Sequence, residues 1–514
     1  MKKWIAVALS AFMCLSCAAC AATEETAQTD KTNEYVEDTS SATAYYMDGS
    51  EFTPVLRFVA VGDTHVNDVW MGHTDKRLEN LFTDAYAYSR TQEYDKLDAV
   101  VVVGDYVEEG YVGEYQQYMA TWQKNILPET SFICLQAGHE LIAGTKENHK
   151  QYTGNDMGTH VEINGYHFIA VSNVRLAEDG SYSETMDEEC DVEWVKEALD
   201  EAVADTGDMK PIFTFHHHPI TDTILGSQSK DPVWNPQVVL APLFENHANI
   251  VDFSAHLHDP IVHPRSIMQH DYTTLAAGAA YYSCQISDVE DRNNHISNAE
   301  ANATCGGMTI VEVDEAGRIR MLPYNLAMRE FYTELGTGNE GEQLIRYIER
   351  AGDKSTWLYT DERGKNSDLP TWSEAAAVKN IRYEQTDVYL STGYTDRQTR
   401  TRLILTFDQA EDKDGIECYR LRIIRKSNNQ PVKMVWNATA YANDGVKAEK
   451  EYFYLNSKYY VTPVPKTVTV QTSGLNPDQF IQGEEYRIEL TAIDTWHNES
   501  TTKLTYDFVC EKTF

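Results

Sequence analysis

Five runs of apolar residues in the first two-thirds of the chain each end at a short polar segment carrying Asp or His. VLRFVAV (55–61) precedes Gly62-Asp63-Thr64-His65, LDAVVVV (97–103) precedes Gly104-Asp105-Tyr106-Val107-Glu108, and SFICLQ (131–136) precedes Ala137-Gly138-His139-Glu140. PIFTF (211–215) precedes His216-His217-His218-Pro219, and NIVDFSA (249–255) ends at Ala255-His256-Leu257-His258. Short Val/Ile-rich runs without polar alternation read as strands buried on both faces. Between them lie stretches of helical period. RLENLFTDAYAY sets Leu78, Leu81, Phe82 and Ala85 on one face, and EWVKEALDEAV (193–203) is amphipathic. VEINGYHFIAV reads as a hairpin around Asn164-Gly165. Strands alternating with helices predict an α/β fold whose sheets are covered by helices.

In open α/β sheets, sites assemble at the carboxyl ends of strands. Asp and His suit a divalent first-row metal. A lone Gly-Asp or His-x-His is weak evidence, because loop carboxylates and hydrogen-bonded histidines are common. Five such segments, each after an apolar strand, point instead to one metal-dependent site. A net charge of −37 argues against a nucleic-acid polymer as partner.

The order of these segments resembles the calcineurin-like metallophosphoesterase family over about residues 54–325. That family's pattern runs D-x-H, G-D-x-x-D/E, G-N-H-D/E, H-H-P and G-H-x-H. The resemblance implies a β-sheet sandwich flanked by helices, two divalent or trivalent metal ions (Mn, Fe or Zn) and a phosphoester substrate. It assigns Asp63, His65 and His258 to one metal and makes Asp105 the carboxylate that bridges both. It assigns His217 and His256 to the second metal, and makes His139 the catalytic histidine facing the phosphate. Paired cations lower the pKa of a shared water and neutralise phosphate oxygens, and a nearby histidine can give a proton to the leaving oxygen.

Two positions depart from the pattern. Ala255 stands in place of a glycine. Gly138 stands where the family has the asparagine that gives the second metal a neutral oxygen ligand. Water can fill that position, the second ion can bind weakly, or another side chain can reach in. His216 is expected to be structural, and His218 is a candidate for substrate contact. Glu108 is expected to support the site loops, and Glu140 to orient its neighbours.

MKKWIAVALSAFMCLSCAACAA has a charged start, a short apolar run and small residues, as an export signal does. Cys17-Ala18-Ala19-Cys20 resembles a bacterial lipoprotein box with Cys20 as the lipidated residue; Cys17 is a second candidate, and plain secretion is the alternative. The expected location is extracytoplasmic, with membrane attachment through the lipid if Cys20 is modified. Residues 21–53 read as a flexible acidic linker. The six remaining cysteines, Cys134, Cys190, Cys284, Cys305, Cys418 and Cys510, are scattered and specify neither a disulfide pairing nor a cysteine zinc site.

Residues 326–375 read as a connecting segment with a helix near EQLIRYIER. From about Ala376 the pattern turns all-β: Leu403, Leu405 and Phe407 share a face, as do Tyr419, Leu421 and Ile423, and Tyr486, Ile488, Leu490 and Ala492. Residues 376–514 resemble a fibronectin type III domain, with Leu475 and Tyr486 at its turn-leucine and corner-tyrosine positions. It carries no catalytic constellation, and a spacer role or docking to a protein or cell-wall partner is the expectation. The predicted function is hydrolysis of a phosphate mono- or diester by hydroxide activated between two metals. The alternatives are a catalytically weak or inactive ligand binder on the same scaffold, and an adhesion protein whose β-sandwich carries the function.

Overall fold

The computed structural model describes residues 42–67, 74–172, 175–176, 182–183, 192–228, 238–281, 304–336, 341–389, 397–435, 449–461, 463–471 and 480–512. The export segment, Cys20, Cys190, Cys284, Leu475 and most of the linker lie outside these residues. So do residues 68–73, 229–237 and 282–303.

The chain divides into two compact units; the first comprises residues 1–286, 297–332 and 343–361. Its first sheet contains β1 (Pro54–Val61), β2 (Ala99–Val102) and β3 (Ser131–Cys134), all parallel. Its second contains β4 (Gly158–Ile163), β5 (Tyr166–Val171), β6 (Ile212–His216) and β7 (Ile250–Ser254). Strands β5, β6 and β7 are mutually parallel, and β4 pairs antiparallel with β5 through the expected hairpin. Both turn residues, Asn164 (φ 51°) and Gly165 (φ 80°), have the positive φ that a two-residue type I′ turn requires.

The inner faces of the two sheets share one core. Phe58 of β1 meets Phe168, Phe213 and Phe253 of the second sheet, with ring centroids 5.0, 4.9 and 5.8 Å away. The helix Thr74–Arg90 (α1) buries Leu78, Leu81, Phe82 and Ala85 on the outer face of the first sheet, beside Tyr115, Tyr118 and Trp122 of Val112–Asn125 (α2). The helix Val192–Thr206 covers the second sheet with Val195, Ala198, Leu199 and Ala202. This is the predicted α/β architecture, a β-sandwich flanked by helices. It explains why the strands lack polar alternation: each is apolar toward both the opposite sheet and a helix.

Two expectations differ. The stretch EQLIRYIER holds no helix; Arg346–Ile348 is a strand paired with residues 319–321 of the strand Ile319–Asn325. Leu344 and Ile348 are buried there, so pairing with an exposed sheet edge outweighs local helical preference. The end of the linker is packed rather than loose: Tyr46 and Phe52 are 2% and 1% exposed, and Tyr46 lies edge-on to Tyr347. Two aromatic side chains bury enough apolar area to hold a short polar segment.

The second unit comprises residues 287–296, 333–342 and 362–514. A three-stranded sheet (Val378–Tyr389, Arg397–Asp408, Thr467–Gln471) faces a five-stranded sheet built on Ile416–Arg425 and Glu485–Asp494. Leu403, Leu405 and Phe407 share one core with Tyr419, Leu421, Ile423, Tyr486, Ile488, Leu490 and Ala492. The side chains read as sharing faces are the ones buried. Cys134, Cys305, Cys418 and Cys510 are free thiols.

Candidate metal centre

Beyond the carboxyl ends of β1, β2, β3, β6 and β7, the loops remain tied to one another. The N–H of Asp63 donates to Gly104 O (3.1 Å), that of His65 to Asp105 O (3.0 Å), and that of Ala255 to His217 O (2.8 Å). These bonds hold five residues in left-handed backbone: Asp63, His65, Asp105, His256 and His258 have φ of 50°, 44°, 50°, 71° and 56°. Each such residue costs about 1–3 kcal/mol, and strain of this kind clusters where side chains must be aimed at a point. Gly104 is required by the same packing, since a Cβ there would stand 2.7 Å from His217 Nδ1.

The side chains converge. Asp63, His65 and His258 can present ligand atoms within 4.8 Å of one another, as can Asp105, His217 and His256, and His65, Asp105 and His139. Asp105 belongs to two of these groups. Asp63, His65, Asp105, His217 and His258 are buried, whereas the His139 side chain is 30% exposed.

Several imidazoles are oriented by a bond at their far nitrogen. His65 Nδ1 lies 3.0 Å from the Glu108 carboxylate, which leaves Nε2 3.3 Å from His258 Nε2. His217 Nδ1 lies 2.7 Å from Val103 O, so its Nε2 faces Asp105 Oδ2 (3.0 Å) and His256 Nδ1 (3.2 Å). His139 Nδ1 lies 2.5 Å from Glu108 O, and its Nε2 is 4.0 Å from Asp105 Oδ2. A hydrogen bond at one ring nitrogen fixes the tautomer and leaves the other as a ligand.

The charge balance asks for cations. Burial pushes the Asp63 carboxyl up, but the His258 and His217 imidazoles offset this and hold it below its ordinary range. Burial likewise opposes ionisation of Asp105, and His217 and His139 hold it well below. His217 and His139 are each raised to about 9, against burial, by Asp105 together with Asp63 and Glu108 respectively. Burial and His217 push His256 down to about 3. Asp63 Oδ1 is buried without a hydrogen-bond partner. A buried carboxylate oxygen ringed by imidazole nitrogens, the nearest His258 Nε2 at 3.3 Å, fits a metal pair, because the ions supply the charge that burial denies. A metal bound at His217 Nε2 would displace the one proton held there, leaving Nδ1–H on Val103 O.

Residues 56–260 match the model of the calcineurin-like phosphoesterase family. They form a calcineurin-like phosphoesterase domain. This part of the chain therefore has the architecture of a metal-dependent phosphoester hydrolase. Among solved structures, a purple acid phosphatase isolated from yellow lupin (Lupinus luteus) seeds aligns with a TM-score of 0.38 and 12% identity, over 55% of this chain and 55% of its own. The alignment spans about half the length of that protein. No curated protein matches the chain.

The remaining residues of the phosphoesterase domain's site have clear places. Glu140 accepts the N–H groups of Ala137 (2.7 Å), Val107 (3.0 Å) and Asp105 (3.2 Å), clamping two site loops together. His216 bonds Asp252 at 2.8 Å inside the core. His218, the candidate for substrate contact, is 3% exposed and packs its ring 3.9 Å from that of His256. Gly138 has an ordinary helical backbone (φ −68°, ψ −47°). The methyl of Ala255 sits where a Cβ on Gly62 would fall, 2.4 Å away, so these two small residues make one close contact.

The sequence does not reveal the backbone carbonyls of Val103 and Glu108 as imidazole anchors, because a carbonyl has no residue signature. Nor does it single out Tyr281, whose N–H donates to Asp63 O (3.0 Å) and whose ring lies 6.0 Å from that of His65.

Proposed function

We propose that the chain is an exported phosphoesterase that hydrolyses a phosphate mono- or diester at a two-metal centre. The observation that carries this reading is the set of inward-facing imidazole nitrogens around two buried carboxylates, Asp63 and Asp105. Asp63, His65 and His258 would hold one ion and Asp105, His217 and His256 the other, with Asp105 between them. When bound, such a pair supplies Lewis acidity toward phosphate oxygens and makes a water acidic enough to ionise near neutral pH.

The protein's own groups do the rest. Glu108 and the Val103 carbonyl fix the directions of His65 and His217. Glu140 holds the loops that carry Asp105 and His139 in register. His139, like His256, is partly exposed, and its Nδ1 is anchored on Glu108 O. Its Nε2 is thereby available to hold a proton for the leaving oxygen of a phosphoester.

Two further assignments accompany this reading. The N-terminal segment is proposed as an export signal with lipidation at Cys20. The second unit is proposed as a fibronectin type III-like module, supported by Tyr486 Oη accepting the N–H of Ile481 at 2.8 Å near the start of a strand.

Gly138 favours a second reading, a weakly active ligand binder, since a second ion there would lack one protein ligand. Purified protein supplied with Mn²⁺, Zn²⁺ or iron separates the two. Hydrolysis of an aryl phosphate that disappears in Asp105→Asn supports the enzyme; metal binding without turnover supports the binder.

A further inference from the structure

A second group of histidines and carboxylates lies at the edge of the second sheet, apart from the centre above. Glu162 of the edge strand β4 is the direct cross-strand partner of His167 on β5, and His160 lies two residues before Glu162, on the same face. Glu201 and Asp205, four apart on the helix Val192–Thr206, come from the covering layer. His160 Nε2 is 2.8 Å from His167 Nδ1, His167 Nε2 is 3.2 Å from Asp205 Oδ2, and His160 Nδ1 is 3.7 Å from Glu201 Oε2. Glu162, His167 and Asp205 can place ligand atoms within 4.8 Å of one another.

Glu201, at 3.7 Å and exposed, is beyond hydrogen-bond reach of His160, so two neutral imidazoles serve the two short contacts, with the hydrogens running in either direction along the chain. In the direction where His160 carries its hydrogen on Nδ1, toward Glu201, and His167 Nδ1–H donates to His160 Nε2, the lone pair of His167 Nε2 faces the Asp205 carboxylate. That is the corner where Glu162 also arrives.

We propose that His167 Nε2, Asp205 and Glu162 bind a first-row divalent metal ion, with His160 and Glu201 orienting His167 from behind. One nitrogen and two carboxylates leave room for water, as in open zinc sites, and an imidazole ligand selects Zn²⁺-like ions over Mg²⁺ or Ca²⁺. An imidazole whose far N–H donates to a further acceptor is the usual arrangement of a metal-bound histidine. The His167 side chain is 5% exposed and that of Asp205 60%, so an ion reaches the site from solvent while its histidine is held by packing. The ion would tie the edge hairpin to its covering helix, and it takes no part in phosphoester chemistry.

The test uses the tag-free full chain carrying Asp63→Asn, Asp105→Asn and His217→Gln, which removes ligands from both groups of the other centre and makes the result independent of the function proposed above. After equilibration at fixed free Zn²⁺, elemental analysis should find about one zinc per chain, and zinc should raise the melting temperature. Adding His167→Gln, or separately Asp205→Asn, should remove both effects. Asp205 is exposed enough that its replacement leaves folding intact, so that variant decides if His167→Gln does not fold. No zinc in the starting variant, or the same zinc count and melting shift after Asp205→Asn, overturns the proposal; a proton rather than a metal then completes the chain.

Discussion

The Nε2 atoms of His65 and His258 face each other at 3.3 Å, while Glu108 holds the opposite nitrogen of His65 at 3.0 Å. Either one of these nitrogens carries a hydrogen between them, or both lone pairs meet at one cation. Glu108 is what prevents His65 from turning away. Glu108→Gln keeps the shape and removes the charge; ion affinity at the Asp63–His65–His258 group should fall about 10–100-fold. Competitive titration against a metal-sensitive dye reads this directly, and an unchanged dissociation constant would remove Glu108 from the account.

In the proposed function His139 delivers a proton rather than binding metal. His139→Ala should lower kcat on an aryl phosphate with a poor leaving group by about 10²–10⁴-fold while metal content stays at the parent level. Loss of metal along with rate would make His139 a ligand instead.

Gly138 adopts a backbone open to any residue, so Gly138→Asn should fold without strain. If the second ion is the weak point of the centre, this variant raises metal occupancy and turnover together. Equal occupancy at limiting metal would show that solvent or another side chain already serves.

His149 lies beneath the site, with Nδ1 2.9 Å from the Tyr106 hydroxyl, and burial lowers its pKa from 6.5 to about 4. The folded protein therefore refuses a proton that the unfolded chain accepts below about pH 6.5. The stability this represents is complete above that pH and is lost as pH falls toward 4, by on the order of 3 kcal/mol. Denaturant unfolding of His149→Gln between these pH values should show a correspondingly flatter profile than the parent. Parallel profiles would mean that His149 titrates normally.

Phe58 joins the two sheets through four ring contacts. Phe58→Ala should cost about 3–5 kcal/mol of unfolding free energy, because the surrounding rings cannot close the space. A loss under 1 kcal/mol in equilibrium unfolding would contradict the picture of one shared core.

Much of this was legible from residue order alone. Buried strands announce themselves as apolar runs, and the Asp and His at their ends have few structural reasons to recur there, so the convergence of Asp63, His65, Asp105, His139, His217, His256 and His258 could be anticipated. What could not be read depends on tertiary partners. Arg346–Ile348 carries a helical pattern yet pairs as a strand, because a sheet edge was available to it. Tyr46 and Phe52 sit in a polar stretch yet are buried by Tyr347 and neighbouring arginines. The burial of His218, a candidate for substrate contact by its place in the sequence, with its ring 3.9 Å from that of His256, has no signal in residue order. The His160–His167 pair had no motif at all, since its members meet only through strand register and a covering helix.

The central claim is that the strand-end loops form a working metal pair around Asp105. Elemental analysis of the parent and of Asp105→Asn, run beside aryl phosphate hydrolysis on the same samples, addresses it most directly. The account predicts that the variant loses both the ions of this centre and all measurable turnover. Equal metal content and equal turnover in the two proteins would contradict it.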